Sequence, residues 1–180
     1  MKKFAQASDF SRFSYFDQEK DKQYIRKAVE VSHKARESGN TPFGSILVYK
    51  DGTVLLEQGN IEITESDPTG HAETSLVRKA SKIYSKDYLW DCTLYSTAEP
   101  CVMCMGAIYW GNIGRVVYGI TERKLLELTG SDEKNPTFDI PSSLVVDGGQ
   151  KEIILADYSA DNELAAEIIE VHKGFWNNGK

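Results

Sequence analysis

Two short motifs bring one imidazole, two thiols and one free carboxylate into this chain. The motifs are thirty residues apart and read Thr69-Gly70-His71-Ala72-Glu73 and Ala98-Glu99-Pro100-Cys101-Val102-Met103-Cys104. One His and two Cys leave the fourth position of a tetrahedral zinc ion open, which is typical of a catalytic rather than a structural site. We therefore predict one catalytic Zn²⁺ per chain, held by His71, Cys101 and Cys104. Glu73 remains free to move protons.

Both motifs are predicted to lie at the start of a helix. Cys101 and Cys104 are three residues apart, so both thiols point to one side of a helical turn. Pro100 suits the first position of that helix, and the positive end of the helix dipole favours thiolate over thiol. After His71, apolar residues recur at helical spacing over residues 72–84. We expect the two helix N-termini to converge on one ion.

A Cys-x-x-Cys pair by itself is also typical of a redox pair or of one half of a four-ligand structural zinc site. The chain has three cysteines, and the third, Cys92, begins an apolar run and is predicted to be a small buried residue. A lone His at a helix start is more often a cap or surface residue than a ligand. The joint occurrence of both motifs favours the catalytic zinc over these alternatives.

Length and composition favour a single globular domain over residues 1–180. Of these residues, 41% are hydrophobic and 27% are charged, which is ordinary for a soluble protein. No apolar stretch reaches the length of a membrane span, and the polar N-terminus lacks the hydrophobic core of a signal peptide. An odd, low number of cysteines favours a reducing compartment. We expect a cytoplasmic protein without a membrane partner.

The net charge of −6 bears on the choice of partner. A protein that binds RNA neutralises phosphates with clustered Lys and Arg. Here the cations near residue 20 alternate with acids, which is typical of a solvated helix face; these residues are Glu19, Lys20, Asp21, Lys22, Arg26 and Lys27. The charge pattern therefore favours a small neutral substrate over a nucleic-acid partner.

The order of the predicted elements indicates an α/β fold. Helices are predicted at residues 24–35, ending near Gly39, after His71, after Pro100 and at 162–171, and strands at 43–49, 53–57, 92–97, 115–118 and 151–155. The first two strands flank an Asp-Gly turn and form a hairpin, whereas strands that alternate with helices pair in parallel. We predict a three-layer α/β/α sandwich around a mixed sheet of about five strands. Residues 1–16 are predicted to be a flexible arm and residues 128–150 a long loop.

The two motifs together resemble the cytidine deaminase-like superfamily of zinc-dependent deaminases, and most closely its guanine deaminase and transfer-RNA adenosine deaminase branch. The resemblance covers about residues 24–119 and includes Pro42-Phe43-Gly44, Asn60 and Gly106-Ala107-Ile108. It implies the three-layer fold, a zinc cofactor, a homodimer and the hydrolytic release of ammonia. In this reaction Glu73 takes a proton from water and passes it to a ring nitrogen of the base.

The resemblance also implies which residues bind the substrate. Asn60 matches the position where related deaminases hold the ring by an amide, which can donate and accept at once; the alternative is that Gly59-Asn60 is only a turn. Phe43 lies near the base or in the core, and Ala72 is included among the predicted substrate contacts. Glu99 is predicted to support the site or a helix end rather than to bind the metal.

An acid in the long loop bears on which base is bound. In guanine deaminases an acid near this place accepts hydrogen bonds from the ring N–H and amino groups, and Asp132 stands at the matching spacing, with Glu133 beside it. A carboxylate there favours guanine over adenine. The alternative is that both acids are simply solvated.

The C-terminus is unusually aromatic, and it includes Trp176. The tail, residues 172–180, is predicted to close a substrate pocket, either its own or, by exchange, that of a second subunit. Packing on its own sheet is the alternative.

We predict a hydrolytic deaminase of a free nucleobase or nucleoside, with guanine or a guanine-like purine as the first choice. Cytosine and other amino-substituted rings remain open. The alternatives are a wobble adenosine deaminase of transfer RNA and a catalytically silent relative that binds nucleic acid or a protein partner.

Overall fold

The computed structural model describes residues 9–130 and 136–176. Its centre is a mixed sheet of five strands: β1 (Gly44–Tyr49), β2 (Val54–Gly59), β3 (Cys92–Ala98), β4 (Arg115–Ile120) and β5 (Ile154–Asp157). The spatial order is β2-β1-β3-β4-β5. Strand β1 runs antiparallel to β2 and β3, whereas β4 runs parallel to β3 and β5. The predicted mixed sheet is confirmed.

The helices within the described residues are α1 (Gln18–Glu37), α2 (Ala72–Ile83), α3 (Lys86–Trp90), α4 (Val102–Gly111), α5 (Glu122–Thr129), α6 (Ser142–Gly148) and α7 (Asn162–His172). They cover the two faces of the sheet, because successive strand residues point to opposite sides. Ile46 and Val48 join one buried cluster with α1 and α7. Leu47 joins the other cluster with α2 and α4. The result is the predicted three-layer α/β/α sandwich.

Local turn residues end α1 and connect the hairpin as predicted. Gly39 follows the last turn of α1 with a φ of +92°, and Gly52 has the same φ in the turn between β1 and β2. Side chains other than glycine rarely adopt this left-handed conformation. These two glycines therefore fix where α1 stops and how β2 returns beside β1.

The prediction of one long loop over residues 128–150 is wrong in part. The last residues of α5 lie within it, and α6 forms its later portion. Helix α6 has only seven residues and lies between Pro141 and Gly149, so its flanking residues are typical of a loop. Two further short helices, α3 and α5, were also missing from the prediction.

Residues 9–16 of the predicted N-terminal arm contact the domain. They begin with a 3₁₀ helix, Asp9–Phe13, and the Phe13 side chain is buried. The Phe16 ring lies 6.1 Å from the ring of Tyr95 in the core. Residues 1–8 lie outside the described part.

Across residues 9–130 and 136–176, no helix is both long enough and apolar enough to cross a membrane.

Candidate active site

The N-termini of α2 and α4 meet at the carboxyl end of β3, and each carries one of the two motifs. His71 is the N-cap residue of α2, and Glu73 lies in its first turn. Cys101 is the N-cap residue of α4, with extended backbone (ψ 171°), and Cys104 follows in the first turn. Pro100 precedes this cap, so its predicted place at the first helical position is wrong. The convergence of two helix N-termini is as predicted.

The three predicted metal ligands lie within bonding distance of a common point. The Nδ1 atom of His71 is 3.6 Å from the Cys101 sulfur and 3.5 Å from the Cys104 sulfur. All three ligand atoms lie within 4.8 Å of one another. Tetrahedral zinc with ordinary Zn–N and Zn–S bonds separates such atoms by about 3.6 Å. The donor set and its spacing therefore fit a zinc ion.

The charges around the ligands also favour a cation. The pKa of Cys101 is lowered to about 4, because the Cys104 thiol donates to its sulfur and His71 adds to the effect against the cost of burial. Burial would lower the pKa of His71, but Cys101 and Glu73 outweigh it and raise that pKa to about 9. Cys92 differs, since burial raises its pKa to about 12. Cys92 is a buried, inert thiol, as predicted.

Glu73 is buried beside the ligands and is held by a hydroxyl group. Its Oε1 accepts a hydrogen bond of 2.5 Å from the Ser96 hydroxyl on β3. Its Oε2 lies 3.4 Å from the Cys104 sulfur, which donates to it. Burial raises the pKa of Glu73, which suits a group that both takes and gives protons near neutral pH.

Two supporting side chains were missed in the sequence. Ser96 orients Glu73, and the Thr74 hydroxyl donates to the Cys104 sulfur over 3.2 Å. Both contacts join residues that are distant in the chain, 23 positions for Ser96 and 30 for Thr74. The two sequence motifs contain no residue pattern that would predict either contact.

A cavity of about 390 Å³ opens onto these groups, which is within the usual range for small-ligand sites. Its lining combines the zinc centre, four carboxyl groups and apolar side chains; these residues are Phe43, Glu62, Pro68, His71, Glu73, Ala98, Glu99, Cys101, Met103, Glu122, Leu125, Pro136, Thr137 and Phe138. Of the predicted substrate contacts, Phe43 lines this cavity. Asn60, Ala72 and Trp176 are absent from its lining, and Asp132 lies outside the described residues.

Asn60 forms a local turn with Glu62. Its Nδ2 donates to Glu62 Oε2 over 2.6 Å, and its Oδ1 accepts from the Glu62 backbone N–H over 2.9 Å. The other oxygen of Glu62 lies 3.7 Å from Nε2 of His71. Asn60 thus holds a carboxylate beside the metal ligand, and Glu62 is a site residue that sequence reasoning missed.

Glu99 lies between β3 and α4 and bonds two helix starts near the cavity. We call the cavity wall formed by α5 and residues 136–138 the far wall. The Oε2 atom of Glu99 accepts from the backbone N–H of Glu122 over 3.0 Å, and its Oε1 accepts from that of Ser142 over 2.7 Å. These N–H groups belong to the first residues of α5 and α6. The prediction that Glu99 supports a helix end is therefore matched by its contacts, which join two helix ends at once.

The C-terminal tail packs behind Phe43 within the same chain. The Phe43 ring lies 5.2 Å from the ring of His172 and 6.2 Å from that of Trp176. The Trp176 Nε1–H donates to His172 Nδ1 over 3.0 Å. Trp176 is therefore one layer removed from the cavity, and residues 177–180 lie outside the described part.

Two residues of the far wall carry polar and aromatic groups into the cavity. Glu122 is buried, and burial together with the charge of Cys101 raises its pKa to about 8. Phe138 lines the same cavity with half of its surface exposed (50%). Neither residue was singled out in the sequence, because neither belongs to a motif.

Related proteins match large parts of the chain. The chain is 37% identical over 163 residues to a probable cytosine deaminase of Schizosaccharomyces pombe, covering 90% of this chain and 96% of that protein. It is 42% identical over 96 residues to guanine deaminase of Bacillus subtilis, covering 53% and 61%. It is 40% identical over 104 residues to tRNA-specific adenosine deaminase of Haemophilus influenzae, covering 58% and 60%.

Solved structures show the same fold. A structure from work on tRNA:A34 deaminases aligns with a TM-score of 0.63 at 25% identity, covering 83% of this chain and 98% of that one. Guanine deaminase from Nitrosomonas europaea aligns with a TM-score of 0.67 at 20% identity, covering 83% of both chains.

The family model for the cytidine and deoxycytidylate deaminase zinc-binding region matches residues 18–120, which contain His71, Glu73, Cys101 and Cys104. Motif, fold and ligand geometry thus agree. The chain belongs to the cytidine deaminase-like superfamily and is a zinc-dependent enzyme that hydrolytically deaminates a nucleobase or nucleoside.

Proposed function

We propose that this enzyme deaminates a free nucleobase or nucleoside, with guanine or a guanine-like purine as its substrate. The observation that supports this most is the cavity of about 390 Å³ that opens directly onto His71, Glu73 and Cys101. It is large enough for a heterocycle and presents carboxyl groups as hydrogen-bond acceptors along its walls.

In the proposed reaction Glu73 acts as both base and acid. A zinc ion held by His71, Cys101 and Cys104 would supply a Lewis acid that makes water nucleophilic at neutral pH. Glu73 takes the proton of the attacking water and delivers it to a ring nitrogen of the base. It then carries the second proton of the attacking water, from the new hydroxyl group, to the amino group, so that the C–N bond breaks, ammonia leaves and a carbonyl group forms. Ser96 keeps the carboxyl group in place through these steps, because it bonds Oε1, while Oε2 faces the Cys104 sulfur at the ligand cluster.

The charges on the described surface support a small substrate over an RNA. Four of the six Lys and Arg residues of α1 are each paired with an acid: Lys20 with Asp17, Lys22 with Asp161, Arg26 with Glu167 and Lys27 with Glu57. Paired cations contribute little to phosphate binding. The carboxyl groups of Glu62 and Glu99 in the cavity would also repel a phosphate.

Cytosine is the second candidate substrate. The probable cytosine deaminase of Schizosaccharomyces pombe matches almost the whole chain, whereas the guanine deaminase of Bacillus subtilis matches about half of it. The acid that the sequence predicts for guanine recognition, Asp132, lies outside the described residues. The choice between guanine and cytosine therefore requires a direct assay.

We also propose that the enzyme is a homodimer, with α4 in the interface. Met103, Ala107 and Trp110 occupy one face of this helix, and Trp110 is 74% exposed. A second copy of the chain would cover this apolar face. Light scattering should give twice the mass of one chain, and Trp110→Glu should give a monomer; an unchanged dimer in this variant would contradict α4 as the interface.

An ammonia-release screen of the zinc-loaded full chain tests the substrate. The panel contains guanine, guanosine, adenine, adenosine, cytosine, cytidine and an anticodon stem-loop. The proposal predicts the highest kcat/KM for guanine. A higher value for cytosine would select the second candidate, and activity on the stem-loop alone would overturn both.

A further inference from the structure

Glu122 brings a carboxyl group into the cavity that the proton-transfer step does not use. It is the first residue of α5, its surface is only 3% exposed, and it lines the same cavity as Glu73. Its backbone N–H is bonded to Glu99. Within residues 9–130 and 136–176, no group forms a hydrogen bond with its carboxyl oxygens.

Helix stability does not account for this placement. An acid in the first turn favours a helix through the dipole, but a solvent-exposed side chain achieves the same. The start of α5 already has its cap, because the Thr121 hydroxyl accepts from the Lys124 N–H over 3.1 Å. Among the described residues, the buried side-chain oxygens without a hydrogen-bond partner do not include those of Glu122, so its carboxyl group is open to the cavity. A ligand in the cavity that donates a hydrogen bond can therefore reach it.

We propose that Glu122 is a specificity-determining residue that accepts a hydrogen bond from the ring N–H of a free base. This inference rests on the proposed function. In guanine and cytosine, the nitrogen that carries the sugar in a nucleoside bears a hydrogen in the free base, and it is remote from the amino-bearing carbon that must face Glu73. Glu122 therefore selects free bases over nucleosides, which lack this donor.

Methylated bases and two variants of one residue test the proposal. The measurement is kcat/KM for guanine against 9-methylguanine and for cytosine against 1-methylcytosine. Glu122→Met keeps the length of the side chain and removes the acceptor, whereas Glu122→Gln retains a neutral acceptor oxygen. Glu127→Met, on the exposed side of the same helix, is the matched control. Zinc content and Tm are recorded for every variant.

The proposal predicts that Glu122→Met loses about 10-fold in kcat/KM on the unmethylated base, as expected for a lost hydrogen bond. Activity on the methylated base should hardly change, so the preference between the two should collapse. Glu122→Gln should keep part of the preference, and Glu127→Met should keep all of it.

Two results would overturn the assignment in different ways. If wild type deaminates a base and Glu122→Met leaves the preference unchanged, or lowers both rates equally with a lower Tm, Glu122 is a structural residue and only this inference fails. If wild type deaminates neither base, the proposed function fails as well.

Discussion

The zinc centre and the opposite wall of the cavity are built in different ways. The ligands and Glu73 lie at the N-caps and first turns of α2 and α4, where contacts of 2.5 to 3.6 Å join them to one another and to Ser96 and Thr74. The far wall is formed by α5 and residues 136–138, and Glu99 bonds the first N–H groups of α5 and α6. The zinc centre consists of two short sequence motifs, whereas the far wall depends on contacts between residues that are far apart in the sequence.

We infer from this difference that the zinc centre performs the hydrolysis and that the far wall selects the substrate. The family model ends at residue 120, so it contains the whole zinc centre and stops just before Glu122. The residues of the zinc centre therefore lie within the family model, whereas α5 and residues 136–138, which line the far wall of the cavity, lie beyond it. Variants in the two regions should differ in kind: those near zinc should lower kcat, and those in the wall should change KM and preference.

The largest effect is expected for Glu73→Gln. Loss of the proton carrier should lower kcat by roughly 10² to 10⁴-fold. The three ligands are untouched, so metal analysis should still find one zinc per chain. Turnover within tenfold of wild type would remove Glu73 from its role.

The aromatic tail should make the free energy of unfolding sensitive to acid. Burial, with a smaller contribution from Arg36, lowers the pKa of His172 from 6.5 to about 4. Between these pH values the unfolded chain binds the extra proton, so stability is lost as the pH falls from 6.5 towards 4. The full effect corresponds to about 3 kcal/mol.

Urea unfolding of His172→Gln from pH 7 to pH 4.5 checks this expectation. The variant should lose less stability over this range than wild type does, whatever its stability at pH 7. Exposed His33 provides the control, because His33→Gln should keep the wild-type pH dependence. Equal pH dependence in both variants would show that His172 is not the group responsible.

Ser96→Ala should lower the activity of the enzyme without loss of zinc. Loss of a buried hydrogen bond to a carboxylate costs about 1–3 kcal/mol, and we expect kcat to fall about 10-fold to 100-fold with KM and zinc content unchanged. Ser75→Ala is the matched control, because the Ser75 hydroxyl is buried on α2 without a hydrogen-bond partner in the described structure. Similar losses in both variants would show that Ser96 has no special role.

The smallest effect is expected for Phe138→Ala in the far wall. Stacking on an aromatic side chain contributes about 1–3 kcal/mol per base, and the half-exposed position of Phe138 favours the lower end. KM should rise about 10-fold with little change in kcat. Leu144→Ala, which removes another exposed apolar side chain outside the cavity lining, should have no effect. A fall in kcat with an unchanged KM would contradict the division between the two regions.

The sequence predicts the first region well because its signals are local. The spacing of Cys101 and Cys104, and the helical period after His71, determine which atoms face the metal. The mixed character of the sheet follows from the predicted hairpin together with strands that alternate with helices; the spatial order of the strands was not predicted.

The second region escapes prediction because its contacts are not local. Helix α6 lies in a stretch rich in Gly and Pro, and its first N–H is held by Glu99, 43 residues earlier. Glu122 also enters the cavity through the packing of α5 rather than through a motif. For Asn60, the sequence offered a turn and a substrate contact, and the structure shows the turn with Glu62.

X-ray absorption at the zinc edge of the purified wild-type chain tests the central claim most directly. The account predicts one zinc per chain, bound by two sulfur atoms, one imidazole nitrogen and one light atom from solvent. A fourth protein donor, or a chain without zinc in which Cys101 and Cys104 form a disulfide, would contradict it.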